Sequence, residues 1–326
     1  FRQFLELPSS IPCEDTFERV FSRIDPLALQ QALVEWLEAV RQEATSSLGQ
    51  GEPKQVRIDG KTLRSSLDTK AGLAALKLVS AWAGEVGLWL GQVAVEPGSN
   101  EIPAIAKLLE LLELKGTVVT IDAIGCQKEI AAQIVEKKGN YILALKGNQE
   151  SLHRQVMDYF LKQSEKERPQ RGVQCLTTTD QGHGRRERRT VMTAPVPKTL
   201  QGKEEWQGLK SLVMVVREAE HQASGKTEGD VRYFISSLEA NAGELGRLVR
   251  SHWQIENGLH WVLDVVFRED QSRLRKNKAP ENWGMINRVA LSLVKSERQT
   301  KGSLKCKRKR AGWNEPYLLQ LLACCP

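Results

Sequence analysis

Apolar positions recur along this chain at two periods, and the places where the period changes mark its elements. Residues 1 to about 50 carry helical spacing, with Asp15 placed to cap one helix and Asp25-Pro26 to open another. The stretch SSLGQGEP at 46–53 reads as a linker. Strand patterns follow at 55–58, 77–83 and 88–95, the last two joined by a turn at 84–87. Helical spacing returns at 101–114. It gives way at 117–121 to TVVTI, a near-continuous apolar run that marks a strand covered on both faces. A helix at 127–138, a second such strand (YILAL, 141–145) and a helix from 149 to about 162 complete the first half. The order β-β-β-α-β-α-β predicts an α/β fold with a mixed five-stranded sheet flanked by helices.

Between 165 and 240 the pattern shifts to strands at 173–179, 185–193, 212–217 and 231–237 among charged and Gly-rich loops, which reads as a β-rich insertion. Asn241 with Glu244 three residues on forms a capping box that reopens helical structure. Within it lies HWQIENGLHWVLDVVFRED, residues 252–270. On a helix with about 100° per residue, Ile255, Leu259, Val262 and Val266 form an apolar stripe. A second row, His252, Glu256, His260 and Asp264, starts on the shoulder of that stripe and drifts away from it. Glu256 sits on the shoulder beside Leu263 and Phe267, where a carboxylate reaches a cleft from an anchored helix. Glu269 and Asp270 are expected at a solvated helix end, and a further helix runs from Ala279-Pro280 to about Lys295.

Composition narrows the function classes. The net charge is +7 and the isoelectric point about 9.1, and the cations crowd toward the end of the chain, where Lys305, Lys307, Arg308, Lys309 and Arg310 follow one another. Such a run fits either a polyanionic partner or a solubilising tail. None of the cysteines forms a C-x-x-C pair, and Cys324 and Cys325 are adjacent, which points to a reducing, cytoplasmic setting. No apolar run reaches the roughly 18 residues of a membrane span. No P-loop or G-x-G-x-x-G fingerprint is present, so nucleotide dependence is not indicated. The chain opens on Phe1 in what reads as the middle of an element, so an N-terminal segment is expected to be missing.

Asp59 and Asp122 stand at the ends of predicted strands, the edge where open α/β sheets bind ligands. Two carboxylates there repel unless a divalent cation neutralises them. A third acid from the helix beyond the insertion makes a cluster able to hold two ions for phosphoryl transfer. The segments VRIDGKTLR, GSNEIPAI, VVTIDAIGCQKEIA, YILALKGNQ, HGRRERR, HWQIENGLHWVLDVVFRED and APENWGMINR follow one another in order. Together they resemble the DDE transposases of bacterial insertion sequences, in the branch that includes the H-repeat-associated proteins. The resemblance implies a ribonuclease H-like core interrupted by a β-rich insertion. It divides the chain into a helical N-terminal segment (1–50), the core's first part (51–164), the insertion (165–240), the core's second part (241–298) and a basic tail (299–326).

By position, the resemblance implies that Asp59, Asp122 and Glu256 are the three catalytic acids, holding two Mg²⁺ or Mn²⁺ ions. It implies metal-dependent cleavage and strand transfer on double-stranded DNA at the element's terminal repeats and in target DNA, by a homodimer on the DNA ends. Relatives often carry Tyr, Arg and Lys around the last acid where this chain has Val249, His252 and Leu263, so His252 is a candidate for the phosphate contact made elsewhere by Arg. The rivals are a catalytically inactive transposase-derived DNA-binding protein and a structure-selective nuclease.

Several more residues are candidates by type and position. Asp264 is the rival third acid. Lys61, Arg64, Lys146 and Asn148 are candidate phosphate contacts. In HGRRERR, His183, Arg185, Glu187 and Arg189 share one strand face, and Arg186 and Arg188 the other, which argues for a DNA-backbone surface. His252 and His260 lie about two turns apart, too far for a good zinc pair. Cys126 reads as a packing residue. Trp206 is the better candidate for stacking on a base, with Trp253 and Trp261 expected in the core.

Overall fold

A computed structural model describes residues 12–46, 54–69, 72, 74–84, 86–165, 170–182, 184–222 and 224–323. The expected linker at 46–53 lies, apart from Ser46, outside them, as do His183, Cys324 and Cys325. The chain divides into two compact units. The first comprises residues 1–52, 59–112 and 254–326, the second residues 53–58 and 113–253.

The first unit opens with α1 (Glu14–Phe21) and α2 (Pro26–Ser46). Cys13, not Asp15, occupies the N-cap of α1, whereas Asp25 accepts the Ala28 amide at 2.9 Å at the start of α2. The second half of β1 (Lys54–Leu63) is followed by β2 (Leu76–Ala83) and β3 (Leu88–Ala94), which pair antiparallel. Helix α3 (Glu101–Leu111) begins at Asn100, whose side chain accepts the Ile102 amide at 3.0 Å, and packs on β2 and β3. Trp82 and Trp89 form one core with Ile255, Leu259, Val262 and Leu263 from the later helical run and with Val289 of α8 (Ala279–Ser296). The apolar stripe read from the sequence is therefore the buried one.

In the second unit, the first half of β1 pairs parallel with β4 (Thr117–Ile121), which pairs parallel with β5 (Asn140–Leu145). All five residues of β4 are buried, as a strand covered on both faces requires. Two helices follow these strands, α4 (Lys128–Glu136) and α5 (Glu150–Ser164). Next come β6 (Gln174–Gly182), β7 (Arg185–Pro195), β8 (Ser211–His221) and β9 (Thr227–Ser236). Helix α6 (Ala242–His252) is capped by Asn241, which accepts the Glu244 amide at 3.0 Å, and buries Leu245, Leu248 and Val249 against Val118, Val191, Val213 and Phe234.

The sheet is larger than the sequence pattern predicts. Its strand order is β3-β2-β1-β4-β5-β9-β8-β7-β6, nine strands where five are expected. The insertion's strands do not form a separate layer. Strand β9 pairs antiparallel with the outer edge of β5, from Ile142–Ser236 to Leu145–Tyr233, and β8, β7 and β6 extend from it. An open edge of backbone donors and acceptors on β5 is satisfied in this way.

Candidate active site

Strand β1 does not stop at Asp59, as the pattern implies, but runs on to Leu63, with Lys61 and Leu63 buried on one face. Gly60 lies between, and a Cβ there would meet the Glu101 carboxylate at 3.1 Å. The stretch after α6 is likewise not one regular helix. Residues Glu256–His260 form a π-turn, α7 (Trp261–Val265) continues it, and Arg268 at φ 57° ends the run. A π-turn inserts one extra residue, which rotates the residues beyond it by about 100°. His260 accordingly faces inward at 4% exposure, where a regular helix would carry it away from the core. Glu256 remains 61% exposed at its side chain.

In the first unit Asp59, Glu256 and His260 come together, with one ligand atom from each lying within 4.8 Å of the others. His260 Nδ1 lies 3.1 Å from Glu256 Oε2 and 3.5 Å from Asp59 Oδ2. Burial pushes the imidazole's pKa down to about 4. Glu256 pulls it upward, while the charges of Arg288 and Lys61 add to the fall. The ring is therefore neutral near pH 7, and its proton belongs on Nδ1, since a lone pair there would face two carboxylates. Its buried Nε2 has no hydrogen-bond partner among the described residues. The sequence singles out His260 only as half of a poor zinc pair. The i, i+4 spacing from Glu256 is the available signal for its true partner.

Asp264, the rival third acid, is engaged by Lys61, whose Nζ lies 2.6 and 2.7 Å from its two oxygens. Lys61 is thus buried in an ion pair and also lies 3.9 Å from Asp270. Arg64 is exposed, with Nε 3.8 Å from Asp270. Glu269 is not at a solvated end: it is buried and accepts from Arg288 Nη1 at 2.8 Å. That pairing arises because Arg288 points inward from α8, where it also donates to Ser80 Oγ and the Gly284 carbonyl.

In the second unit the register pairs Ile58 with Ile121, and Asp122 is the next residue of β4's chain. Asp122 is exposed and caps a short 3-10 turn, accepting the Ile124 amide at 3.2 Å. Asn148 donates to the Ala123 carbonyl at 2.7 Å, and Gln149 to the Cys126 carbonyl at 3.0 Å, so the loop after β5 braces the loop after β4. Lys146 is exposed at the start of that second loop. His252 Nδ1 lies 2.9 Å from Thr120 Oγ1, which also accepts from Gln55 at 3.0 Å. Cys126 is fully buried, and burial pushes its thiol up to about 12, which suits a packing residue.

The basic strand of the insertion is more asymmetric than its sequence. Glu187 is buried under α6 and gathers Arg217 at 2.9 Å, Arg189 in close contact and Arg185 at 3.8 Å. Burial pushes the Glu187 carboxyl up, but the Arg217 hydrogen bond and the charges of Arg189, Arg217 and Arg185 outweigh it and hold the group below the usual carboxylate range. Arg186 and Arg188 are exposed on the other face, Arg188 lying 3.9 Å from Glu218. The tryptophan expectation reverses: Trp206 is 3% exposed, while Trp253 and Trp261 are 51% and 54% exposed. Trp253 carries the Arg232 guanidinium 4.2 Å above its ring.

Residues 50–293 match the family described as "Transposase DDE domain", and residues 1–37 match "DDE_Tnp_1-associated". The "Putative transposase YncI" of Escherichia coli O157:H7 is 38% identical over 326 residues, spanning 99% of this chain and 81% of its own. The "H repeat-associated putative transposase YhhI" of Escherichia coli (strain K12) is 35% identical over 326 residues, spanning 99% of this chain and 83% of its own. A solved piggyBac transposase synaptic complex with hairpin DNA aligns over 84% of this chain and 53% of its own, at a TM-score of 0.41 and 14% identity. This chain thus spans about half of that one, and a likeness of that strength carries no argument.

Proposed function

The chain belongs to the DDE transposase family, in the branch that includes the H-repeat-associated proteins, and we propose that it cuts and rejoins duplex DNA at the ends of its element. Asp59, Asp122 and Glu256 act as the catalytic acids in this reading, holding two Mg²⁺ or Mn²⁺ ions. The observation that carries it is the meeting of Asp59 and Glu256, about two hundred residues apart in sequence, around the buried His260.

The donor set fits the ions. Two carboxylates offer hard oxygens, the preference of Mg²⁺. His260 turns an N–H toward them, so it orients the carboxylates and leaves the hard-oxygen character intact. When bound, divalent cations neutralise the acids' mutual repulsion and supply the charge that phosphoryl transfer requires. The remaining tasks fall to the chain. Glu256, exposed on a widened turn, reaches outward while Ile255 and Leu259 hold its backbone in the core. The Lys61–Asp264 pair keeps β1 against α7, fixing Asp59 relative to the π-turn. In this reading Asp122, at the end of β4, joins the two acids to complete the set; the parallel register of β1 with β4 supports it. Arg64, Lys146, Arg186 and Arg188, all exposed, contact DNA phosphates; Asn148, Arg185, Arg189 and His252 contribute where their present partners release them, and Lys61 stays in its pair with Asp264. Two copies acting on two element ends complete the reaction.

A supercoiled-plasmid nicking assay with Mn²⁺ tests this. Asp59→Asn, Asp122→Asn and Glu256→Gln should each lose about a thousandfold or more of cleavage, the equivalent of several kcal/mol of transition-state charge stabilisation. Duplex binding should persist in all three. Retained cleavage by Asp122→Asn would sink the assignment of that acid. A wild-type chain that binds but never nicks would favour an inactive DNA-binding relative.

A further inference from the structure

Helix α9 (Leu304–Trp313) carries cations that the acid cluster does not use. Its sequence LKCKRKRAGW holds Lys305, Lys307, Arg308, Lys309 and Arg310 and no acid. Side chains three and four residues apart share a side of a helix. Leu304, Lys307, Arg308 and Ala311 accordingly form one side, and Lys305, Lys309 and Trp313 form a row on another.

The first side is spoken for. Leu304 and Ala311 pack against Val294, Tyr317 and Leu321. Lys307 Nζ lies 3.2 Å from the buried carboxylate of Glu297, and the Arg308 guanidinium lies 5.1 Å from the Phe267 ring. Arg310 sits 4.8 Å over Tyr317. The second row has no such ties. Lys305 and Lys309 are exposed, and no carboxylate among the described residues lies within ion-pair distance of either. Trp313, at the end of the row, is 72% exposed, the highest value for any large apolar side chain described.

This arrangement opposes local helix stability. Like charges at i, i+4 repel, and cations in the first turn, where α9 has no acid, oppose the helix dipole. A solvated face would not need these costs or a bare indole. A polyanion relieves the repulsion, and an exposed aromatic beside lysines suits a partner that offers phosphates together with sugar and base surfaces.

We propose that the Lys305–Lys309–Trp313 row of α9 is a second DNA-binding surface, gripping the phosphate backbone of duplex DNA without reading its sequence. The proposal rests on the DNA-processing reading above. Its test is fluorescence anisotropy of the full chain with a labelled random-sequence duplex across a salt series. Each lost phosphate contact lowers the log–log salt slope by about 0.9, so Lys305→Ala/Lys309→Ala should lower it by roughly two. Trp313→Ala should weaken binding several-fold with the slope unchanged. Mn²⁺ affinity should stay at the wild-type value in both variants and thermal unfolding should not fall, because the altered side chains face solvent, the double variant removes like-charge repulsion and Ala is a strong helix former. If the wild type binds duplex and the double variant keeps its slope, the proposal falls and the DNA reading survives. If the double variant loses binding to anionic vesicles but not to duplex, the surface belongs to a membrane and the proposal is overturned. A wild-type chain that binds no duplex at all overturns both readings.

Discussion

At the scale of single residues, His260 is the group on which the geometry turns. Its Nδ1 lies at hydrogen-bond distance from Glu256, 3.1 Å, and 3.5 Å from Asp59, so it orients the Glu256 carboxylate beside that of Asp59. The amide nitrogen of Asn stands close to where Nδ1 stands in His, and that of Gln reaches the Nε2 position instead. His260→Asn should therefore keep Mn²⁺ affinity within a few-fold of wild type, while His260→Ala and His260→Gln lose about 10–100-fold, the usual effect of removing a partner that orients metal ligands. Direct titration of Mn²⁺ by electron paramagnetic resonance, without DNA, measures this. Equal losses in the Asn and Ala proteins would show that His260 is a nitrogen ligand and not a donor to the acids. Strong imidazole nitrogen coupling in the wild-type spectrum would say the same.

At the scale of elements, one close approach fixes α6 on the sheet. A Cβ on Gly246 would meet Val191 Cγ2 of β7 at 2.9 Å, so only glycine lets the helix sit where it buries Leu245 and Leu248. Gly246→Ala should destabilise the protein by about 1–3 kcal/mol, since the strain of overpacking outweighs the gain in helix propensity. A urea midpoint equal to or above wild type would show that α6 can shift at no cost. The capping and patterning that place α6 are legible in the sequence. Asn241 with Glu244 marks its start, and TVVTI marks the strand beneath it. The π-turn is not legible, because Ile255, Leu259, Val262 and Val266 are buried as the regular pattern expects and nothing in the composition marks the widened turn. That is why the regular spacing sends His260 outward, whereas it is buried in the folded chain; Trp261, expected in the core, is instead exposed. Glu269 and Trp206 escape a local reading for a related reason: their burial depends on partners far away in sequence, Arg288 for the first and the folded insertion for the second.

For the molecule as a whole, each strand is foreseeable one by one, but their joining is not. Period-2 patterns locate β6 to β9, yet nothing local to 227–236 says that β9 will hydrogen-bond to β5. Charge is the other property of the whole chain, and its sign can be worked through for stability. The folded-state pKa of His260 is near 4, below the 6.5 of an unperturbed imidazole. As pH falls below 6.5, the unfolded chain takes up this proton and the folded chain does not, so stability falls continuously until about pH 4 and levels there. The total is a few kcal/mol at most, at about 1.4 kcal/mol per pH unit. Two carboxylates whose burial is outweighed, Glu187 by its arginines and Glu297 by the Thr300 amide and then Lys307 and Tyr317, act in the opposite sense: their contribution is intact above the ordinary carboxylate range and is lost as pH falls through their depressed folded values. Two phases are therefore expected in the metal-free protein, a loss between pH 6.5 and 4 from His260 and a further loss at lower pH from the acids. Urea midpoints at about pH 7, about 5.5 and about 4.5 with a chelator present resolve the first phase. His260→Asn should flatten it and leave the second, since Asn has no proton to gain. If the Asn variant keeps the full slope above about pH 4.5, His260 takes up its proton as readily folded as unfolded and is not the source of the first phase.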